Sequence, residues 1–318
     1  MSFIRAVLGD ISPDDLGRTA CHEHLVIDSA FIAERFPHIH LPSVDDAVAE
    51  LAPWRDAGLG AVVDAMPAGQ GRDVARLAEI SRRSGVHVIA ATGLHTEKYY
   101  DHVPWARRDA SVALVQRFTR EIVDGADGTG HRCGVIKVAT GLEGITSRAR
   151  RLFAAAAETH RRTGVPILTH CEEGRGGLEQ VELLRDNDVP LGRVVLSHTD
   201  KVADPTYHRD LLASGVSLVY DQALRQSPSE PRGTAWLLAA MVEEGHGSRL
   251  MLGTDGARRT LWATLGGSPG FAWLFTAFPE VLARHGVDAA TLATILVDNP
   301  ARWLTFDPPG GDVSDLPG

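Results

Sequence analysis

Two histidines near the amino terminus stand at a spacing that suits a metal ion. His22 and His24 lie two residues apart at the end of a short apolar run. Because side chains alternate along a β-strand, this separation places both imidazoles on one face of the strand. Imidazole is a common metal ligand in proteins. The same pair also fits two hydrogen-bonded histidines without a metal, so its interpretation depends on the rest of the chain.

Three later apolar runs also end in a residue that can bind a metal. His170 follows Leu-Thr, His198 follows Leu-Ser, and Asp255 follows Leu-Gly-Thr. A core histidine would be as common at the start or middle of a strand, whereas the catalytic groups of barrel enzymes gather at the C-terminal strand ends. The repeated pattern therefore predicts one shared metal site.

A lysine interrupts another apolar run. Lys137 stands within Gly-Val-Ile-Lys-Val-Ala-Thr, and a buried ammonium without a partner is costly. An ion pair with a carboxylate such as Asp255 or Glu172 would neutralise it, and so would a strongly lowered pKa, as in a Schiff-base lysine. We favour a third answer, a lysine carbamylated by carbon dioxide. The carbamate is an anion whose two oxygens can bridge two cations, whereas an ammonium would compete with them.

The elements that must position these residues alternate regularly. Eight short β-rich runs recur along the chain, at residues 19–27, 61–66, 87–92, 135–139, 167–170, 194–198, 217–220 and 250–254. Helical stretches separate them, and the clearest has Thr146 or Ser147 as its N-cap and Gly164 as its stop, with Pro166 opening the next strand. Eight such units predict a parallel α/β fold, the (β/α)8 TIM barrel, although a doubly wound sheet shares the alternation.

Length and composition indicate one large domain. The chain has 318 residues, of which 44% are hydrophobic and 23% charged. We expect a single barrel domain over residues 1–306, with a hairpin or cap at residues 1–16 and a loose tail at residues 307–318. Cys21 and Cys171 adjoin proposed ligands, and alternation along a strand turns both thiols to the opposite face, where we expect them to pack.

The charge balance bounds the partners. A formal net charge of -9 argues against nucleic acid, because that binding relies on a basic stripe. We expect a small-molecule substrate instead. The start of the chain lacks the apolar core of a signal peptide, and nowhere do about 18 apolar residues run together. The sequence therefore predicts a cytoplasmic protein with no membrane partner.

Five motifs, in this order, resemble the phosphotriesterase family of the amidohydrolase superfamily. They are His22-Glu-His24, Gly134-Val-Ile-Lys137-Val-Ala-Thr, Thr163-Gly-Val-Pro-Ile-Leu-Thr-His170, Val194-Val-Leu-Ser-His198-Thr-Asp and Gly253-Thr-Asp255. The resemblance extends over about residues 5–305 and implies a barrel enzyme. The family includes phosphotriesterases, lactonases, carboxylesterases and an amidase, and a shared fold does not fix the substrate.

The resemblance also implies a site for two divalent cations. It assigns His22, His24 and Asp255 to a buried cation, and it assigns His170 and His198 to a more exposed one. Imidazole and carboxylate ligands suit zinc, while manganese and cobalt remain alternatives.

By the same resemblance, carbamylated Lys137 and a hydroxide bridge the two cations. Two adjacent cations lower the pKa of the water between them, so that the hydroxide is available as a nucleophile near neutral pH. The more exposed cation would polarise the substrate oxygen. Asp255 would act as the catalytic residue that accepts the hydroxide proton.

The loops offer five candidate substrate-binding residues. His95 stands where lactonase-type relatives often carry a tyrosine, and Gln222 stands where relatives frequently have a basic residue. Arg225, Arg258 and Arg259 could project over the metals, and guanidinium groups suit phosphate or carboxylate. These arginines predict an anionic substrate, although each could instead pair with a surface acid.

The sequence therefore predicts a binuclear metal-dependent hydrolase acting on a lactone or carboxylic ester, with an anionic or phosphorylated group on that substrate. A phosphotriester or an N-acyl amide fits the same site. More distant alternatives are a lyase with Lys137 as Schiff base and a binding protein without catalysis. The family resemblance also implies a homodimer.

Overall fold

The computed structural model describes residues 2–108, 110–226 and 230–306, and a parallel sheet of eight strands forms its centre. Two short strands, β1 (Ile4–Ala6) and β2 (Gly9–Ile11), pair antiparallel ahead of the sheet. The eight strands of the sheet are β3 (Arg18–Glu23), β4 (Leu59–Asp64), β5 (His87–Gly93), β6 (Val135–Thr140), β7 (Ile167–Cys171), β8 (Val194–Ser197), β9 (Ser217–Tyr220) and β10 (Leu250–Leu252). Each pairs with the next strand in chain order.

The sheet closes where β10 meets β3. The backbone N–H groups of Thr254 and Asp255 donate to the carbonyl of His22, at 3.2 and 3.0 Å. A Cβ at Gly253 would lie 2.9 Å from the backbone N and O of His22, so only glycine allows this close approach. This closure confirms the predicted (β/α)8 barrel.

Helices surround the barrel and connect its strands. Those of the described residues are α1 (Ala30–Arg35), α2 (Val44–Asp56), α3 (Val74–Ser84), α4 (Pro104–Arg108), α5 (Ser111–Val123), α6 (Ser147–Thr163), α7 (Gly177–Asp186), α8 (Pro205–Ala213), α9 (Thr234–Glu243), α10 (Trp273–Thr276), α11 (Phe278–Arg284), α12 (Ala289–Ala293) and α13 (Asn299–Leu304). Helix α6 begins as predicted, because the Thr146 side chain accepts from the N–H of Ala149. It ends at Gly164, whose φ of 75° is left-handed.

Alternate residues of the strands fill the barrel interior. One buried apolar cluster contains Val63, Val135, Leu168, Val195, Val219 and Met251. Since side chains alternate along a strand, the next inward positions are two residues further on. On four neighbouring strands those positions are Lys137, His170, Ser197 and Asp221. An apolar layer therefore supports a polar layer at the C-terminal ends of the strands.

Strand β3 is shorter and less regular than predicted. It ends at Glu23, and the predicted continuation through Ile27 lies outside the strand. Its pairing with β4 shifts register between Ala20 and Glu23, as at a β-bulge. The bulge breaks strict alternation, so Cys21 is buried and packs as expected but in the interior cluster and not on the outer face. Cys171 packs in the outer core as expected.

The ends of the chain complete the description. Ile4 of β1 joins the interior cluster, and Phe3 pairs with Phe306 in an antiparallel bridge. The predicted tail, residues 307–318, lies outside the described residues. Among the residues that the structure describes, no helix is long and apolar enough to cross a membrane.

Candidate active site

A cavity of about 270 Å³ lies at the C-terminal ends of the barrel strands. All six residues that the sequence proposes as metal ligands line it: His22, His24, Lys137, His170, His198 and Asp255. The barrel therefore brings together side chains that are far apart in the chain. A concave site with converging polar groups at this end of a barrel is the usual position of catalysis.

The imidazoles and the carboxylate are close enough to share a cation. One ligand atom from each of His22, His198 and Asp255 lies within 4.8 Å of the others, which makes this trio a possible metal site. The Nε2 atom of His24 is 3.5 Å from Oδ1 of Asp255. The His170 and His198 ring centroids are 4.4 Å apart. This set of nitrogen and oxygen donors suits zinc and its neighbours in the first transition row.

Asp221 orients two of these histidines, and the sequence analysis missed this role. Its Oδ2 is 2.7 Å from Nδ1 of His22, and its Oδ1 is 2.9 Å from Nδ1 of His198. Burial alone would raise the pKa of Asp221, but nearby His198 and the two hydrogen bonds hold it well below its usual value. Asp221 comes directly after β9, so its place at a strand end was the signal that could have identified it.

Lys137 is buried beside the histidines. Its Nζ is 3.4 Å from Nε2 of His22 and 3.4 Å from the Ser197 hydroxyl. Within the described part of the chain, no carboxylate lies within ion-pair distance of this amine. The two candidates, Asp255 and Glu172, pair with other side chains. Burial lowers the pKa of Lys137 to about 8. About a tenth of this amine is therefore neutral at pH 7, and the neutral amine is the form that reacts with carbon dioxide.

His170 and Asp255 each contact a charged side chain that is not itself a proposed metal ligand. Nε2 of His170 is 2.7 Å from Oε2 of Glu172, and burial lowers the pKa of His170 to about 3. Arg225 Nη2 is 2.7 Å from Oδ2 of Asp255. Burial would raise the pKa of Asp255, but Arg225 and the nearby histidines together hold that pKa well below its usual value. The site thus contains neutral imidazole and ionised carboxylate, the forms that bind metals.

The donor atoms that line the cavity fit the expected pair of cations. His24 presents Nε2 to the Asp255 carboxylate, and donor atoms of His22 and His198 lie close to the same carboxylate. Lys137 has a buried amine without a carboxylate partner among the described residues. A group buried in this way is costly unless something else satisfies it. A carbamate on Lys137 would satisfy its amine, and the converging nitrogen and oxygen donors are those that divalent transition metals bind.

The five candidate substrate-binding residues divide into two groups. His95, Arg225 and Arg258 line the cavity. Gln222 and Arg259 are not among its described lining residues, so the structure does not support substrate contact for them. Gln222 instead donates from Nε2 to Oδ1 of Asp221 at 2.6 Å, and Arg259 donates to the carbonyl of His40 at 2.9 Å.

The rest of the cavity wall is mixed in character. One part is apolar and consists of Ile27, Ile32, Ile39, Met66 and Tyr99. Lys98 and Lys201 also line it, and their charges are matched by Glu172 and Glu173. Such a wall suits a small molecule with a carbon skeleton and a polar group.

A (β/α)8 barrel with histidine and aspartate side chains clustered at the C-terminal ends of its strands is typical of enzymes that bind metal ions there. A model of the phosphotriesterase family matches residues 2–304. The chain belongs to the phosphotriesterase family, and it is a hydrolase.

Individual relatives support this assignment. A phosphotriesterase homology protein of Mycobacterium tuberculosis is 31% identical, over 98% of this chain and 99% of the relative. A phospho-furanose lactonase of Mycoplasmopsis synoviae is 30% identical, over 96% and 92%. Among solved structures, a lactonase from Listeria monocytogenes superimposes with a TM-score of 0.90 at 28% identity, covering 96% of this chain and 99% of that one.

Proposed function

We propose that this protein is a binuclear metal-dependent hydrolase of a lactone or carboxylic ester that carries an anionic group, for example a phosphate. The observation that carries the proposal is the meeting of four histidines, a lysine and an aspartate around one cavity. His22, His24 and Asp255 would hold one cation. The residues that would hold the other are His170 and His198, and Lys137 as a carbamate would contact both.

Two divalent cations, when bound, would acidify water near neutral pH and withdraw charge from the substrate's carbonyl oxygen. The protein's own groups do the rest. Asp255 directs Oδ1 towards His24 and Oδ2 towards Arg225. As an ionised carboxylate it can accept the proton that the attacking water loses. Asp221 holds His22 and His198 in fixed orientations through their Nδ1 atoms.

Among the described residues, an unpaired charge in the cavity wall, that of Arg258, supports an anionic substrate. Arg225 already contacts Asp255, and Lys98 contacts Glu172 at 2.9 Å. Arg258 is exposed and has no ion-pair partner in the part of the chain that the structure describes. Its guanidinium is therefore available to a phosphate or carboxylate. The lactonase names of two relatives favour a lactone over other bonds.

A substrate panel tests the proposal. Protein loaded with zinc, manganese or cobalt is assayed on neutral and phosphorylated lactones, carboxylic esters, a phosphotriester and N-acyl amino acids. We expect the phosphorylated lactones to react fastest. Cleavage of an N-acyl amino acid or a phosphotriester without lactone opening would contradict the choice of bond. Borohydride trapping of a carbonyl substrate on Lys137 would contradict the hydrolytic role of that residue.

A further inference from the structure

The Glu172 carboxylate contacts one side chain at the end of a barrel strand and another in the loop after a different strand. It follows β7 and begins a 3-10 turn over Glu172–Gly174. Its Oε2 is 2.7 Å from Nε2 of His170, and its Oε1 accepts from Nζ of Lys98 at 2.9 Å. Lys98 belongs to the turn Glu97–Tyr99 that follows β5. One carboxylate therefore connects a proposed metal ligand to a loop from another strand.

This contact decides which nitrogen of His170 is available. Neutral imidazole carries a proton on one ring nitrogen and a lone pair on the other. A carboxylate oxygen only accepts, so the hydrogen bond places the proton on Nε2. Nδ1 of His170 is then the nitrogen with a free lone pair. Carboxylates commonly orient metal-binding histidines in this way.

Asp221 provides an internal comparison. It contacts Nδ1 of both His22 and His198, which leaves their Nε2 atoms to bind. Glu172 contacts the opposite nitrogen, so His170 must approach a cation through the other edge of its ring. The orientation of His170 thus depends on a loop residue, whereas that of His22 and His198 depends on a residue directly after β9.

We propose that Glu172 is a positioning residue that fixes His170 for the more exposed of the two cations, and that Lys98 holds Glu172 in place. This inference rests on the proposed binuclear site. Loss of Glu172 would free the His170 ring. The affinity for the more exposed cation would fall by roughly 10- to 100-fold, and the other cation would stay bound. Lys98 is half-exposed, so its loss would lower the affinity for the same cation by no more than about fivefold.

The experiment counts metal ions on the full-length, zinc-loaded protein. Wild type, Glu172→Gln, Glu172→Ala and Lys98→Ala are dialysed against a graded series of chelator concentrations, and bound zinc is measured by mass spectrometry. Glu173→Gln is the matched control, since it lies in the same turn and its carboxylate is 4.0 Å from Lys201. The absorption spectrum of cobalt-loaded protein is a second measurement, because it reports the ligands of the metal and a general loss of stability would not alter it.

We expect wild type and Glu173→Gln to retain about two zinc ions where Glu172→Ala retains about one. Glu172→Gln should fall between them, because its amide oxygen still accepts the hydrogen bond without the charge. Retention of both ions by Glu172→Ala, or equal loss of both, would overturn the inference alone. Absence of metal from wild type would overturn the proposed function and this inference together.

Discussion

At the scale of single residues, the chemistry depends on which atoms are engaged and which are free. Asp221 engages Nδ1 of His22 and of His198, and Arg225 engages Oδ2 of Asp255. The amine of Lys137 lies beside these groups with its pKa lowered to about 8 by burial. The contacts fix the histidines, and the low pKa leaves the lysine reactive.

The first residue prediction concerns carbamylation of Lys137. The neutral fraction of an amine rises as pH rises through its pKa, so roughly fifty-fold more of Lys137 is neutral at pH 8 than at pH 6. Metal-free protein given zinc should therefore regain activity faster at pH 8 than at pH 6, and faster with added bicarbonate. Lys137→Ala should bind little zinc and show no activity at either pH. Recovery that ignores both pH and bicarbonate would count against the carbamate.

The second residue prediction compares two adjacent arginines. Arg258 lines the cavity, whereas Arg259 donates to the carbonyl of His40. Removing a charged hydrogen bond to substrate costs about 1.5–3 kcal/mol. Arg258→Ala should therefore raise the KM for a phosphorylated lactone by at least about tenfold and leave a neutral lactone unchanged. Arg259→Ala should not distinguish the two substrates. Equal effects of both variants on both lactones would rule out an anion-binding role for Arg258.

At the scale of elements, the closure between β3 and β10 sets the distance between ligands on opposite sides of the seam. Thr254 donates from its N–H to Glu23 at 2.7 Å, and Gly253 packs against the backbone of His22. The seam therefore holds Asp255 against the His22 and His24 pair.

A glycine substitution tests this closure. Gly253→Ala would place a Cβ 2.9 Å from the His22 backbone, and overpacking of this kind costs about 1–3 kcal/mol. The free energy of unfolding, measured by chemical denaturation, should fall by that amount, and zinc should bind more weakly. Gly192→Ala is the control, because a Cβ added at this position would have no other atom within 4 Å beyond its chain neighbours. The same unfolding free energy in both variants would show that the seam is not tight.

The sequence predicted much of the fold, because buried parallel strands leave apolar runs bounded by turn signals. Helix α6 shows this clearly, since Thr146 and Gly164 mark its ends with recognisable capping chemistry. The bulge in β3 could not be predicted, because it arises from pairing with β4 and has no local signature. For this reason Cys21 was assigned to the wrong face.

The candidate site was predictable to the extent that its residues close strands. The four histidine ligands stand at or next to strand ends, and Lys137 interrupts a buried strand, which are both local signals. Gln222 and Arg259 lie on loops, whose direction depends on tertiary contacts such as those with Asp221 and His40. Sequence spacing carries no information about these contacts. Loop geometry therefore had to come from the structure.

At the scale of the whole molecule, the barrel separates stability from chemistry. An apolar interior layer, to which Ile4 and Trp303 contribute, supports the polar layer above it. The family match over residues 2–304 covers both layers. The homodimer expected from the family remains a prediction, which light scattering of the purified protein can check.

The account depends most on two cations held by the residues that line the cavity. Crystals of zinc-loaded protein, measured at the zinc absorption edge, test this directly by anomalous scattering. We predict two zinc peaks, one beside His22, His24 and Asp255 and one beside His170 and His198, with electron density for a carboxyl group continuous with Nζ of Lys137. The absence of both peaks, or an unmodified Lys137 amine at a site with zinc bound, would contradict the account.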